Sequence, residues 1–335
     1  MSTGRARMLD ALRGGGDLGY PVWLMRQAGR FLPEYRELRK NLAFLDLVRS
    51  PAACTEAALQ PLRRFDLDAT IVFSDILVLL DALGAGLRFV AGDGPSLERP
   101  LRSEADAHAL AWDNPLASLG YVYEAVAQLR GAAPDKAVIG FAGAPWTLFC
   151  YLVEGEGGGD FPRARALLWQ EPELAESALR RLAVLVAGHL SRQVQAGADV
   201  VQVFDTWGGL LPEEDYARFA LPGLQYIAGC LGSTPSILFV RGGAHLLHRL
   251  VPLGFSAQSL DATTDPGRVQ GVATQGNLDN TRLLGPVAGI EEGVLRIHRA
   301  LGGRRNHVFN LGHGVLPQTP PESVAAFVAA VRRLG

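Results

Sequence analysis

Eight short apolar runs, each followed by a longer amphipathic segment, do most to limit how this chain of 335 residues can fold. The runs lie at about residues 21–25, 69–74, 137–142, 199–204, 235–240, 255–260, 270–275 and 306–311. Strands that alternate with helices are typical of a parallel sheet with crossover helices, which is an α/β fold. Eight such units in a chain of this length predict a closed (β/α)8 TIM barrel, and the same pattern leaves an open doubly wound sheet as the alternative.

Amphipathic helices are predicted over 105–130, 172–196 and 320–333, where apolar residues recur at helical spacing. Pro172 near the start of the second helix and Gly197 just past its end fit the usual preferences at helix termini. The chain has no low-complexity linker and no internal repeat beyond the strand–helix unit. One barrel domain over residues 1–335 is therefore expected.

Polar or charged residues follow most of the apolar runs. In a barrel, the carboxyl ends of all strands meet at one rim, and the active site lies there. Polar residues at such places also serve as helix caps and turn formers, so their concentration alone does not establish a site. The residues predicted at this rim are Arg26, Arg30, Ser74, Asp75, Asp205, Thr206, Arg241, Asp261, Asn277 and His313.

Composition limits the classes of partner. A formal net charge of −2 and a pI near 6.4 argue against a general nucleic-acid surface, so a site for a polyanion has to be a local cluster of arginines. Cys54, Cys150 and Cys230 are odd in number and widely spaced, which indicates neither a disulfide framework nor a zinc ribbon. The N-terminus lacks an apolar signal region and no run reaches about 18 apolar residues, so a cytoplasmic protein without a membrane partner is expected.

Residues 21–39, with the sequence PVWLMRQAGRFLPEYRELR, carry the most specific signal in the chain. Arg26 and Arg30 follow the first predicted strand on either side of a glycine, and from the pattern alone they could be ordinary surface charges. The stretch resembles the N-terminal signature of the uroporphyrinogen decarboxylase family, haem-pathway enzymes that convert acetate side chains of a tetrapyrrole to methyl groups. This resemblance implies that Arg26, Gln27 and Arg30 bind the substrate.

Four further stretches resemble the same family, and the similarity runs from about residue 8 to the C-terminus. The resemblance implies that Asp75, Tyr151, Phe204, Thr206 and His313 contact the substrate, and that Asp75 accepts hydrogen bonds from the pyrrole N–H groups. From the residues alone, Asp75 could equally cap a helix, Tyr151 could be a core residue, and His313 could be a turn residue. The four stretches are FSDIL at 73–77, GFAGAPWTLFCYLVEG at 140–155, QVFDTWGGL at 202–210 and NLGHGV at 310–315.

The chain departs from the family pattern in two places. Thr206 stands where the family usually has serine, and the 258–264 stretch retains Asp261 but lacks the tryptophan that commonly follows it. Threonine keeps the hydroxyl group and adds a methyl group, so binding of a carboxylate is still expected, with a changed fit.

The resemblance implies a homodimer that decarboxylates the four acetates of uroporphyrinogen III, with Asp75, Arg26, Tyr151 and His313 as catalytic residues. No metal or organic cofactor is implied, because a protonated pyrrole ring can itself accept the electron pair. His245 and His248 share a helix face at a spacing that suits a metal, but no third ligand accompanies them in the sequence.

Two alternatives stay open. One is a zinc-dependent methyltransferase of the related barrel superfamily, which would need a His-x-Cys pair that this chain lacks. The other is a tetrapyrrole-binding protein without enzymatic activity, motivated by the two departures from the family pattern.

Overall fold

The computed structural model describes residues 2–90 and 94–335. Within these residues, seven parallel strands form one curled sheet in the order β1, β4, β5, β6, β7, β8, β9, and β2 pairs with β3 in a separate antiparallel ladder. The strands are β1 Ala69–Ile71, β2 Leu87–Val90, β3 Gly94–Leu97, β4 Ala137–Gly143, β5 Val200–Asp205, β6 Ser236–Val240, β7 Ala257–Ser259, β8 Ala273–Leu278 and β9 His307–Leu311.

Segment 21–25 occupies the eighth position of the barrel, between the two edges of this sheet. Val22 forms an isolated parallel bridge with Phe309 of β9. On the other side, the backbone N–H of Asp68 donates to the Val22 carbonyl at 2.8 Å, and the Val22 N–H donates to Asp68 Oδ2 at 2.7 Å. The prediction of a regular first strand is therefore wrong, because a side chain replaces one rung of the ladder and Pro21 has no N–H to donate.

The other seven predicted strands are confirmed, with one shift. The run predicted at 270–275 becomes β8 only from Ala273, because Gly271 adopts a left-handed φ of 77° that ends the preceding turn. In a parallel barrel, helices cover the outer face of the sheet and strand side chains fill the interior, which explains why these runs are almost continuously apolar.

The helices are α1 Gly4–Leu12, α2 Pro33–Arg39, α3 Phe44–Val48, α4 Pro51–Arg64, α5 Val78–Ala82, α6 Glu104–Ala109, α7 Gly120–Ala132, α8 Pro145–Glu154, α9 Pro162–Gln170, α10 Pro172–Gln195, α11 Glu213–Asp215, α12 Leu221–Leu231, α13 Leu247–Leu250, α14 Val287–Ala300 and α15 Pro321–Arg332. The predictions of helices at 172–196 and 320–333 are confirmed by α10 and α15.

The helix predicted at 105–130 is interrupted. Helix α6 ends at Ala109, and Asn114, with a left-handed φ of 52°, precedes Pro115, so the chain enters α7 only after a 3-10 turn at Pro115–Leu119. A residue before proline is disfavoured in the helical region, and this local effect outweighs the continuous apolar spacing.

Helix α1 closes the N-terminal mouth of the barrel. Thr3 caps it by accepting the Ala6 N–H, and Met8 packs with the first residues of several strands in one buried cluster, which includes Ala69, Ala137, Val200, Ile237, Ala257 and Ala273. Arg7 forms an ion pair with the fully buried Asp68 at 2.6 Å. Among the described residues, α1 covers this mouth, so the mouth at the carboxyl ends of the strands is the candidate entrance for a ligand.

No helix in the described part of the chain combines the length and apolar character needed to cross a membrane.

Candidate active site

An apolar floor lies near the carboxyl ends of the strands. Met25, Phe204 and Phe239 form a buried cluster, and the partly exposed Ile71 and Phe141 pack against it. Phe204 meets Phe141 and Phe239 edge to face, with ring centroids 5.7 and 6.1 Å apart. Rings in this arrangement give a rigid surface of the kind on which a flat organic ligand can rest.

The loop that carries Arg26 is fixed from below by hydrogen bonds. Gln27 Oε1 accepts the Leu24 N–H at 3.1 Å, and Gln27 Nε2 donates to the Ala69 carbonyl at 3.2 Å. The Met25 N–H donates to Asn310 Oδ1 at 2.9 Å. These bonds hold Arg26 at a φ of 63°, an uncommon value for a residue other than glycine. The neighbouring hydrogen bonds therefore fix the backbone conformation from which the Arg26 side chain leaves the loop.

Gln27 is also predicted to contact the substrate, and in the structure its side chain bonds to the backbone. It is 1% exposed, and both its amide oxygen and its amide nitrogen bond to the backbone. Its position suits a role in shaping the Arg26 loop, and direct contact with a substrate stays a prediction.

Arg26 and Arg30 are both exposed, and within residues 2–90 and 94–335 neither guanidinium forms an ion pair. Arg26 lies across Gly314, where an ideal Cβ would come within 2.4 Å of Arg26 Cδ. Gly314 thus leaves room for the arginine stem beside His313. Two arginines without acidic partners suit the bidentate binding of carboxylates.

Asp75 follows β1 and keeps part of its surface open to the cleft. Its Oδ1 accepts the Leu77 N–H at 2.8 Å just before α5, so one oxygen caps a turn while Oδ2 has no hydrogen-bond partner in the described structure. Desolvation raises the pKa of the Asp75 carboxyl, and the Leu77 N–H and the positive charge of Arg26 partly oppose this shift. Both roles expected from the sequence, cap and cleft carboxylate, are thus compatible in one side chain.

Tyr151 lies on α8 and packs against Phe161 and Trp207, with ring centroids 5.7 and 6.3 Å apart. The ring is only partly buried, unlike most of the helix. Burial raises the pKa of its hydroxyl; a hydrogen bond involving Trp207 lowers it, and the charges of Asp75 and Arg26 act on it in opposite directions. These mutual effects mean that the structure brings Tyr151, Asp75 and Arg26 together at one side of the mouth.

Phe204 lies on β5 and Thr206 directly follows the strand, so continued strand alternation favours the same face for both side chains. Asp205 between them points the other way and is completely buried. It accepts hydrogen bonds from the Thr147 hydroxyl at 2.7 Å and the Tyr216 hydroxyl at 2.8 Å. Burial raises the pKa of Asp205 to about 6, since both donors are neutral. Asp205, which the pattern had placed on the rim, is an anchor for the loop that follows.

His313 packs edge to face against Phe239, with ring centroids 6.3 Å apart. Its Nδ1 accepts the Gly314 N–H at 2.8 Å, so the neutral ring carries its proton on Nε2. Burial, together with the smaller effects of the Arg26 and Arg241 charges, lowers the pKa of His313 to about 4 against the opposing effect of Asp261. At neutral pH His313 is an uncharged hydrogen-bond donor.

The structure therefore gathers Arg26, Asp75, Tyr151 and His313 around one floor, with Phe204 in the floor itself. The sequence pattern placed Arg241 at the rim but gave it no role. The signal that could have found one is its spacing of two residues from Phe239, because Arg241 continues the ladder to Asp205 one residue past β6 and strand alternation then favours the same face for both side chains.

The Asp261 carboxylate bonds within its own loop and to the loop after β6. Its carboxylate accepts the Gly242 N–H at 2.5 Å and hydrogen bonds from Thr263 and from the Thr264 hydroxyl. This set of bonds lowers the pKa of Asp261 against the effect of its burial. Asp261 thus fixes the loops behind the rim.

Neither of the paired histidines is part of a metal-binding group. His245 lies 3.3 Å from the Leu211 carbonyl, and His248 pairs with Glu213 at 2.9 Å. In the portion of the chain that the structure describes, no three His, Cys, Asp or Glu side chains converge as metal ligands would.

Comparison with known proteins gives one family. The sequence profile described as "Uroporphyrinogen decarboxylase (URO-D)" matches residues 3–334. A protein of Aromatoleum aromaticum named uroporphyrinogen decarboxylase is 45% identical over 326 residues, which cover 93% of this chain and 92% of that protein. A protein of the same name from Azoarcus sp. is 45% identical over 324 residues, covering 93% of this chain and 90% of its own length.

Among solved structures, a methyltransferase from Methanosarcina mazei superposes with a TM-score of 0.85 over 100% of this chain and 99% of that chain, at 23% identity. A B12-independent methionine synthase from Shewanella sp. superposes with a TM-score of 0.59 at 10% identity, over 94% of this chain and 96% of that chain. At such identities these two structures support the barrel fold and carry no argument about function.

Proposed function

The chain belongs to the uroporphyrinogen decarboxylase family, and from this premise we propose that it decarboxylates the four acetate side chains of uroporphyrinogen III to methyl groups. The products are coproporphyrinogen III and CO2, in haem biosynthesis. The observation that supports this most is the position of Asp75, a desolvated carboxylate beside an apolar floor, with Arg26 close enough to affect its pKa.

Binding of the substrate follows from charge. Uroporphyrinogen carries eight carboxylates on a flexible reduced macrocycle, and the exposed Arg26 and Arg30 are cations without acidic partners of their own in the described residues. Arginine is suited to this task because its planar fork binds both oxygens of a carboxylate. The pyrrole faces would lie on Phe204 and its neighbours, while Thr206 would offer a hydroxyl group to another carboxylate.

The chemistry requires a place for the electron pair that an ionised acetate leaves behind. A proton first adds to the pyrrole α-carbon, and the C–C bond then breaks to release CO2 while its electrons neutralise the ring. A second proton adds to the exocyclic methylene carbon to make the methyl group, and the α-carbon returns its proton. Each acetate therefore consumes one proton in total, and no external electron acceptor is needed.

Asp75 would act on the charged ring. Its free Oδ2 would accept hydrogen bonds from the pyrrole N–H groups and would stabilise the protonated ring more than the neutral one. This preference for the charged intermediate is what accelerates the reaction. Because one carboxylate can accept from all the pyrroles in turn, the macrocycle could present each acetate by rotation.

Tyr151 and His313 would complete the site as hydrogen-bond donors. Burial raises the pKa of Tyr151 and lowers that of His313, so both side chains are neutral at pH 7 and each keeps a proton to donate. His313 would donate from Nε2 to a substrate carboxylate. Because guanidinium groups do not deprotonate in proteins, the role of Arg26 here is binding and charge stabilisation.

The test is anaerobic incubation of the metal-stripped protein with fresh uroporphyrinogen III, followed by oxidation and separation of the porphyrins by their number of carboxyl groups. The proposal expects stepwise appearance of porphyrins with seven, six, five and four carboxyl groups. An unchanged eight-carboxyl pool, with an active control enzyme beside it, would refute the decarboxylase and leave a binding protein. Activity that returns only with zinc would favour the methyltransferase-like alternative.

We further propose that residues 1–335 form one domain and that two copies associate. Large apolar side chains are exposed on neighbouring helices, including Trp169 at 61%, Val184 at 56% and Tyr226 at 47%. Light scattering on the purified protein would measure the mass directly, and a monomer at micromolar concentration would contradict the dimer. A cytoplasmic location is proposed because Cys54, Cys150 and Cys230 are all free thiols.

A further inference from the structure

Arg241 is held at the rim by its backbone. It directly follows β6, its N–H donates to the Asp205 carbonyl at 3.2 Å, and its own carbonyl accepts the Gly209 N–H at 3.0 Å. The next residue, Gly242, donates to Asp261 Oδ2 at 2.5 Å. The loops after β5 and β7 thus fix this position from both sides, as expected for a residue whose direction matters.

Arg241 lies one residue past β6, where its N–H continues the ladder to Asp205, so strand alternation favours the face that carries Phe239. Phe239 lies two residues earlier on the same face, and its ring packs against Phe204 in the floor and against His313 at the rim. The charge of Arg241 lowers the pKa of His313, which places the guanidinium within electrostatic range of that ring. A side chain that leaves the barrel wall above Phe239 has to pass over the mouth.

The order of the sheet puts Arg241 across the mouth from Arg26. Segment 21–25 closes the ring between β9 and β1, and going round from it the strands are β1, β4, β5 and then β6. Arg26 and Arg241 therefore leave the barrel wall half a circuit apart. A macrocycle resting on the floor would have edges near both.

Arg241 is exposed and forms no ion pair with any acid in the described ranges. The acid in its neighbouring loop, Asp261, already accepts four hydrogen bonds from Gly242, Thr263 and Thr264. A guanidinium held over a binding cleft without an acidic partner is available to an anionic ligand.

We propose that Arg241 binds a carboxylate at the edge of the macrocycle opposite the one held by Arg26. This inference rests on the proposed tetrapyrrole substrate, whose edges carry both acetates and propionates. Arg241 acts in binding and orientation, and it takes no part in the proton transfers.

The experiment compares R241Q and R241K with wild type in the anaerobic assay, and uses R296Q as the matched control. Arg296 is exposed on α14, away from the cleft, and has no ion pair in the described structure. Loss of one partly exposed charge-assisted pair should raise KM by roughly tenfold for R241Q, with kcat within about threefold of wild type. R241K should recover part of the loss, and R296Q should match wild type.

The decarboxylation steps at which KM rises show whether Arg241 binds an acetate or a propionate. An equal rise in KM at all four decarboxylations means that Arg241 holds a propionate, since propionates survive the reaction. A rise confined to the earlier steps means that it holds an acetate. Unchanged KM in R241Q, with wild type active, overturns the inference and leaves the proposed function intact.

A binding measurement separates this inference from the enzyme activity. Coproporphyrinogen III is titrated anaerobically into wild type, R241Q and R296Q with tryptophan fluorescence as the signal. If wild type binds but never releases CO2, weaker binding by R241Q alone still supports the role of Arg241. If wild type does not bind the tetrapyrrole, or if all three proteins bind equally, the inference is wrong.

Discussion

Replacement of Asp75 by asparagine removes the charge of the side chain and leaves its size unchanged. The asparagine oxygen can still accept the Leu77 N–H, which Asp75 Oδ1 accepts at 2.8 Å in the structure. The amide that replaces Oδ2 is a donor and cannot accept a hydrogen bond from a pyrrole N–H group. D75N therefore tests the electrostatic role of this residue with little change to the local turn.

The expected loss follows from the charge that develops on the substrate. A pyrrole cation about 4 Å from the carboxylate, at an effective dielectric constant of about 20, gains about 4 kcal/mol. This dielectric value suits a side chain that is desolvated but partly open to the cleft. Since about 1.4 kcal/mol is a factor of ten in rate, kcat of D75N should fall by about three orders of magnitude.

Single-turnover decarboxylation of uroporphyrinogen III under anaerobic conditions measures this step without product release. The control D113N removes a carboxylate from an exposed turn and should behave as wild type. Because burial raises the pKa of Asp75, the folded state loses stability as the pH rises through that pKa and the side chain ionises. D75N should therefore melt at no lower a temperature than wild type at pH 7. A folded D75N with kcat within tenfold of wild type would refute the electrostatic role.

Three further results are expected. G314A should displace the Arg26 side chain, because the new Cβ would lie 2.4 Å from Arg26 Cδ, and should lower kcat/KM roughly tenfold. G289A is the control, since its new Cβ would meet open space. Equal activities of the two variants would show that Arg26 adapts freely. Burial raises the pKa of Asp205 to about 6, so the wild-type unfolding free energy should fall by about 2 kcal/mol more than that of D205N between pH 4 and 7 in denaturant titrations, whereas parallel pH curves would contradict the assigned burial. The His313 ring should titrate near pH 4 by NMR and stay neutral from pH 6 to 8, and a midpoint near 6.5 would mean that the ring is solvated.

The features that local sequence determines were predictable. The apolar runs that became β4, β5, β6 and β9 are buried on both faces, and a run of that kind has few alternatives to a central parallel strand. The rim position of Arg26, Asp75 and His313 followed from their place just after such runs.

Long-range contacts account for what sequence reasoning missed. Nothing near Gln27 in the chain indicates that the Ala69 carbonyl will accept a hydrogen bond from its amide. The pairing of segment 21–25 depends in the same way on Asp68, whose side chain replaces a backbone partner. The role of Asp205 was hidden because its donors Thr147 and Tyr216 belong to other elements.

The closure of the barrel by its first and last segments determines when the site can form. Val22 has to find Phe309, so nearly the whole chain intervenes between two residues that touch. Contacts of such high sequence separation form late, since the loop entropy is lost before the contact compensates for it. During synthesis the arginine loop beside Val22 is among the first parts to leave the ribosome, but it has no β9 to pair with until the last strand emerges. The substrate site is then assembled only when translation is almost complete, and until that point the early part of the chain depends on chaperones or on non-native contacts to cover its apolar strands.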